Sequence, residues 1–391
     1  NEDIFEQISE NGRKAKKEKA KELSREQERL KHIQQKISVM EDKIPEAMLG
    51  EYPVPVDKLV DLIEKQRQEK EQQEKVIAEK QKELDRMLDF RPLQLEDLPR
   101  LRPYFAYSGS RLCDTTPGTV FIWRDMYRTE YALWDNSLYF KVDYPGVGPT
   151  FTLPLGGGRL EQFRQIAEYC LQNKLPLRFV PVPKDELDRM LHFFPGSTAQ
   201  ADRDTFDYLY RSEDLKFFRG KKLSGQRNHV NRFHKTYGTW TFRPIVPEDL
   251  PMILALLDRY VQEHEKDSVS YLEDLNKTKE VLNNLDLYDM KGGLLMVEDR
   301  LAGFSLGEVL GDTLFIHIEK ADREIFGAYQ MLVSQFAQAY AGEGVSFLNR
   351  EDDVGDPGLR TSKLSYHPVA LLEKYVVTVP DPVLALPGAR P

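Results

Sequence analysis

The stretch GLLMVEDRLAGFSLGEVLGDTLFIHIE, residues 293–319, decides the fold. It reads as three strands, at 293–297, 301–310 and 313–319. Within it Glu308, His317 and Glu319 alternate with apolar residues, and His317 and Glu319, two apart, share one face of a strand. Working outward, a long helix fills 327–341, followed by a strand at 345–348, a short helix near 358–364 and a last strand at 374–379. Upstream lie a strand at 239–243 and helices at about 248–264 and 273–285. An earlier cycle of similar length precedes these. Two strands over 129–142 are joined at Asp135-Asn136, a tight-turn signal. Gly156-Gly157-Gly158 leads into an amphipathic helix through Phe163, Ile166, Ala167 and Cys170, with strands at 177–180 and 207–210. Strands alternating with helices argue for an α/β or α+β core, and two such cycles for a duplicated unit.

Residues 1–89 are of another kind, rich in Lys, Glu and Gln. Apolar residues recur at Leu23, Leu30, Ile33, Ile37, Met40, Ile44 and Met48, the stripe of a coiled-coil helix. Gly50, Pro53 and Pro55 break it. A second stripe follows at Val56, Leu59, Val60, Ile63, Ile77, Leu84 and Met87, with a polar and weakly packed middle from Gln66 to Gln73. The simplest packing is an antiparallel hairpin. The expected division is therefore a hairpin at 1–89, two units at 90–235 and 236–380, and a flexible tail at 381–391. The chain opens on Asn1, so it reads as a piece of a longer sequence or as an incomplete start.

The 391 residues carry a net charge of −9, which argues against a general nucleic-acid coat but not against local phosphate binding. No run approaches the ~20 apolar residues of a membrane span. The two cysteines, Cys113 and Cys170, form no CxxC, so no metal site is expected. Reduced thiols and the absence of a signal peptide point to the cytoplasm.

The C-terminal run carries a family resemblance. It reads Asn349-Arg350-Glu351-Asp352-Asp353-Val354-Gly355-Asp356-Pro357-Gly358-Leu359-Arg360, then Lys363-Leu364-Ser365-Tyr366-His367-Pro368 and Lys374-Tyr375. It resembles the end of the catalytic domain of phosphatidylglycerol lysyltransferases, and is most similar to the soluble relatives of that domain. Arg227-Asn228-His229-Val230-Asn231-Arg232-Phe233 and Phe121-Ile122-Trp123-Arg124 resemble other stretches of those relatives. The resemblance spans roughly 90–380. It implies an α+β fold of tandem GNAT-like acyltransferase domains behind the hairpin, no cofactor, and transfer of an aminoacyl group from aminoacyl-tRNA to a lipid, small-molecule or peptide acceptor.

Such transfer needs a base, oxyanion donors and cations for phosphate. Glu351 and Asp353 are candidates for the base or for holding an amino group. Tyr366 and Ser365 are candidate oxyanion donors. Arg360 and Lys363, three apart on a helix, suit phosphate or carboxylate. Asn349, Glu308 and His317 complete the expected substrate site. Lys221, Lys222, Arg227 and Arg232, in the basic run 216–235, are candidates for tRNA or an anionic membrane surface. Structural readings stand beside these: Asp353 and Asp356 as helix caps, Arg360 in an ion pair, and the basic run as a solvated helix face. One rival function is an acyl-CoA-dependent N-acyltransferase, which would place the CoA pyrophosphate at the helix start near Gly327. Another is a non-catalytic scaffold that assembles with itself or a partner through the coiled coil.

Overall fold

A computed structural model describes residues 4–156, 159–263 and 269–382. The expected tail lies outside these residues from 383 onward, as do Gly157 and Gly158.

The N-terminal segment forms the helices Ile4–Glu41 and Val56–Asp85. They run antiparallel: as Lys19, Glu22 and Arg29 ascend one helix, their partners Glu83, Lys80 and Glu69 descend the other. Ile33, Ile37, Leu59 and Ile63 are buried between them. Two expectations need correction. Val60 and Met48 are 49% and 72% exposed, because the seam turns away from them near the tip. The polar middle is held: Gln73 is buried and its amide donates to the Glu26 carbonyl at 3.1 Å and carboxylate at 2.7 Å.

Fourteen strands follow among the described residues: β1 (Arg91–Pro92), β2 (Glu130–Trp134), β3 (Ser137–Tyr144), β4 (Gly148–Phe151), β5 (Leu177–Pro183), β6 (Thr198–Ala201), β7 (Asp207–Arg211), β8 (Trp240–Pro244), β9 (Lys291–Val297), β10 (Arg300–Leu310), β11 (Thr313–Ala321), β12 (Phe347–Asn349), β13 (Ala370–Leu372) and β14 (Lys374–Val379). Asp135 and Asn136, both at positive φ, make the β2–β3 turn, as their residue types require. The strands form two seven-stranded sheets, ordered β1-β2-β3-β4-β5-β14-β6 and β13-β7-β12-β11-β10-β9-β8. Each contains one parallel pair, β4 with β5 and β11 with β12. This is the tandem GNAT-like arrangement of the α+β class.

The expected boundary at 235/236 does not divide the sheets. β7 lies in the second sheet and β14 in the first, so each sheet takes a strand from the far part of the chain. The core crosses the same boundary: Leu98, Phe121, Leu138 and Phe140 pack in one cluster with Ile253, Leu282, Leu294 and Phe304. Arg124, 9% exposed, grips Glu280 with two hydrogen bonds of 2.8 Å across it.

Candidate active site

Beyond Phe315 the parallel pair parts. β12 ends at Asn349, while β11 runs on to Ala321. The gap is a cleft of about 700 Å³, walled by His317, Glu319 and Lys320 of β11, by Arg350 and Glu351 after β12, and by residues of the helices Leu250–Glu263 and Pro357–Ser365.

The His317 side chain is 2% exposed and spans two carboxylates. Its Nε2 lies 2.9 Å from Glu308 Oε1 and its Nδ1 2.8 Å from Glu351 Oε1. Burial favours the neutral ring, but the hydrogen bonds to Glu308 and Glu351 outweigh it and raise the pKa to about 10. His317 is therefore an imidazolium at neutral pH. It donates through both nitrogens and is no base. Glu308 Oε1 also accepts the Gly118 N–H at 2.6 Å. A Cβ at position 118 would stand 2.4 Å from that oxygen and 2.6 Å from His317 Nε2, so glycine alone fits. Gly118 lies in the first turn of the helix Pro117–Ile122, capped by Thr116, so the first cycle of the fold completes the site.

Glu351 sits at φ 57°, where a non-glycine residue is uncommon. Asn349 holds it there by accepting the Glu351 N–H at 2.7 Å. The Asn349 amide donates in turn to Asp207 at 2.8 Å and to the Arg111 carbonyl at 2.7 Å. Asn349 is fully buried, so it positions Glu351 rather than meeting a substrate. Asp207 Oδ1 lies 2.7 Å from Lys374 Nζ, which also contacts Asp114. Burial opposes the Lys374 charge, yet Asp114 and Asp207 hold its pKa well above the ordinary value. Burial pushes the Cys113 thiol up, so it is no nucleophile. Cys113, Asp114 and Asp207 cluster closely enough for a metal ion, but the Lys374 ammonium stands among them and supplies the cation. Asp352, next along the chain from Glu351, accepts the Val354 N–H at 3.1 Å. Burial, opposed by Lys374 and aided by Glu351 and Asp207, raises its pKa to about 7.

Other candidates are engaged elsewhere. Asp353 is fully buried and accepts from Arg203 at 3.1 Å, Arg360 at 2.9 and 2.7 Å, and the Tyr208 hydroxyl at 2.5 Å. Burial works against its ionisation, but these donors keep its carboxyl well below the usual range. Arg360 is further tied to Asp204 at 2.6 Å. Asp353 thus has no lone pair to spare as a base, and Arg360 is already saturated with carboxylate. Lys363 borders the cleft, but its buried ammonium donates to the carbonyls of Arg350, at 2.6 Å, and Asp352. Burial lowers its pKa. Tyr366 is buried against Tyr210, Phe218 and the Arg350 guanidinium, away from the cleft. Ser365 donates to the Ser362 carbonyl and accepts from Gln226.

The basic run does not line the cleft. Lys222 pairs with Asp214 at 3.2 Å, Arg227 donates to the carbonyls of Phe218 and Gly220, and Arg232 lies 3.9 Å over the Phe326 ring. Lys221 is exposed. The helix Ser224–Thr236 instead covers the start of the helix Ala328–Tyr340: a Cβ on Gly327 (φ 75°) would meet the His229 carbonyl at 2.8 Å. In that loop the N–H groups of Glu324, Ile325, Phe326 and Ala328 donate to Asp322, Asp322, the Tyr237 hydroxyl and Ile325 respectively.

Sequence reading passed over Gly118, Lys320 and Tyr260, and took Arg323 only as the first residue of the helix start weighed for CoA pyrophosphate. Lys320 had a usable signal, one residue beyond Glu319 on the strand already singled out. Gly118 had none, because its partner lies 190 positions away.

The profile of a family described as the phosphatidylglycerol lysyltransferase C-terminal region matches residues 105–378. A conserved protein of unknown function from Bacteroides thetaiotaomicron is 30% identical, covers 75% of this chain and all of its own, and superposes with a TM-score of 0.70. L-PGS from Bacillus licheniformis, 14% identical over 75% of this chain and 97% of its own, shares the fold with a TM-score of 0.51. An uncharacterised protein of Mycoplasmoides gallisepticum is 28% identical over 174 residues, which are 44% of this chain and 56% of that protein, so the chain spans about half the length of this curated relative. Among the described residues no helix is long and apolar enough to cross a membrane. With the profile matched over most of its length, this chain belongs to the phosphatidylglycerol lysyltransferase C-terminal family.

Proposed function

We infer that this chain transfers an aminoacyl group from aminoacyl-tRNA to a hydroxyl or amine, with the chemistry in the cleft between β11 and β12. The observation that carries the reading is the Glu308–His317–Glu351 array, in which His317 and Glu351 stand on the cleft wall and buried Glu308 backs them. The imidazolium ties down one oxygen of Glu351, whose side chain remains 24% exposed. A carboxylate so fixed can hold an aminoacyl ammonium or take the proton of an attacking hydroxyl or amine. The acceptor oxygen or nitrogen bonds to the ester carbonyl carbon, the bond to the tRNA ribose oxygen breaks, and the acceptor's proton passes to that leaving oxygen.

Two observations weigh against the acyl-CoA rival. The N–H groups of Glu324, Ile325, Phe326 and Ala328 have partners within the protein, and the helix Ser224–Thr236 covers Gly327, so a pyrophosphate would have to displace both. The experiment is an assay of purified protein with a pool of charged tRNAs and candidate acceptors. Acceptor-dependent loss of aminoacyl ester, abolished by Glu351→Gln, is expected; a wild-type rate equal to the blank ends the reading.

A further inference from the structure

The cleft continues past Glu351 and His317 along β11 to Lys320, Arg323 and Tyr260. At a strand's rise of about 3.3 Å per residue, the Lys320 backbone lies roughly 10 Å along β11 from that of His317, with Arg323 beyond it. A bulge opposite Leu306 and Gly307 skips His317 and breaks the alternation, and both side chains border the cleft. The Tyr260 ring gathers these cations: Lys320 Nζ lies 5.3 Å and Arg323 Cζ 5.2 Å from its centroid. The Tyr260 hydroxyl accepts from Arg323 at 3.3 Å and pairs with the Tyr329 hydroxyl at 2.8 Å. Lys320 is balanced by Asp274 at 2.9 Å, and Arg323 is exposed. Two cations held on one ring, in a hollow whose other end carries the His317–Glu351 array, are preorganised for an anion. The helix start that other folds use for phosphate is sealed a few residues away, which leaves anion binding to side chains.

Resting on the aminoacyl-tRNA reading, we propose that Lys320 and Arg323 form the subsite for the phosphates of the donor RNA's last nucleotides. The aminoacyl ester then reaches Glu351, and phosphate competes with Asp274 for Lys320. In an aminoacylated RNA the ester hangs on the terminal ribose, so the first phosphates lie about one nucleotide from the reacting carbon, a length that suits the span from His317 to Lys320 and Arg323. The terminal adenosine occupies the middle of the cleft.

Two non-hydrolysable donor mimics test this: a 3′-aminoacylamino-adenosine without phosphate, and the same molecule extended on its 5′ side by phosphocytidine. Wild type is expected to bind the extended mimic about tenfold more tightly, with a salt slope steeper by about 0.7 for each phosphate engaged. Lys320→Ala, Arg323→Ala and the milder Arg323→Gln are expected to erase that advantage and to bind the phosphate-free mimic as wild type does, with melting temperatures unchanged for the Arg323 variants and lowered by a few degrees for Lys320→Ala, which loses its pair with Asp274. Variants that keep the advantage, or a wild type that gains nothing from phosphate, overturn the subsite while the donor reading stands. Failure of wild type to bind either mimic or to use charged tRNA removes the donor reading and the subsite together. CoA that raises the melting temperature of wild type but not of Arg323→Ala assigns the cations to acyl-CoA and overturns the proposal.

Discussion

In each sheet two neighbouring strands run parallel and then part, β4 from β5 and β11 from β12. Where the first pair meets, at Phe151 and Phe179, both rings are fully buried and meet Tyr169 and Phe163 edge to face at centroid distances of 5.9 and 5.5 Å. The hollows lined from both strands' continuations hold about 100 and 60 Å³, and one of about 330 Å³ lies farther along, between Pro183 and Leu371–Glu373. The second pair opens onto His317, Glu319, Arg350 and Glu351 and a cleft of about 700 Å³. The topology is shared, so the side chains at the opening decide. Aromatic rings close the first by burying area, while at the second His317 and Arg350 are spent on buried ion pairs with Glu351 and Glu319, so no side chain is left to fill the gap and the Glu351 carboxylate keeps its contact with water.

Breaking the closed opening has the largest expected effect. Phe179→Ala removes a fully buried ring and is expected to cost about 3–5 kcal/mol of stability by denaturant unfolding; a cost under about 1 kcal/mol would show that the first opening is not sealed by packing. Next comes Asp353→Ala, which leaves Arg203 and Arg360 without their shared carboxylate. About 3 kcal/mol is expected, the low end for a buried pair, because Asp204 beside it is half exposed. Full transfer activity in the surviving folded protein is expected too, since Asp353 lies off the cleft. Glu351→Gln should do the reverse: a hundredfold or greater loss of transfer with the fold intact. Equal losses in the Asp353 and Glu351 variants would erase the distinction between them.

The pH dependence sharpens the contrast. His317 is raised from 6.5 to about 10 by folding, so its contribution to stability is complete below pH 6.5 and is lost as pH rises through about 10. The stability advantage of wild type over His317→Gln should shrink across that window, while the advantage over Phe179→Ala should not. A constant advantage over His317→Gln would show the ring to be neutral. The smallest effect belongs to the hairpin: Lys80→Ala loses an exposed pair with Glu22, and about 0.5 kcal/mol or less is expected from thermal unfolding.

What the sequence disclosed follows the range of the interactions. Strand periodicity, the Asp135-Asn136 turn and the helix stripes are local, and β9 to β11 fall within a few residues of their expected limits. Glu308, His317 and Glu351 could be named because a strand face and a motif mark them. Their mutual bonds could not, since His317 and Glu351 are 34 positions apart. Asp353 and Glu351 look alike in sequence; Arg360, seven positions on, was a legible partner for Asp353, but Arg203 and Tyr208, some 150 positions upstream, were not. The exchange of β7 and β14 was invisible for the same reason, as no local pattern says which sheet an edge strand joins.

That exchange bears on how the protein comes into being. The first sheet stays open between β5 and β6 until β14, at 374–379, arrives to pair with both. During synthesis about 190 residues are added after β5 before this gap can close. The nascent chain therefore carries two unsatisfied strand edges for about half of its emergence, at about 5–20 residues per second. Pairing over such separations is slow. A polypeptide truncated shortly before Lys374 would expose both edges permanently, and its foreseeable fate is aggregation rather than a smaller folded protein.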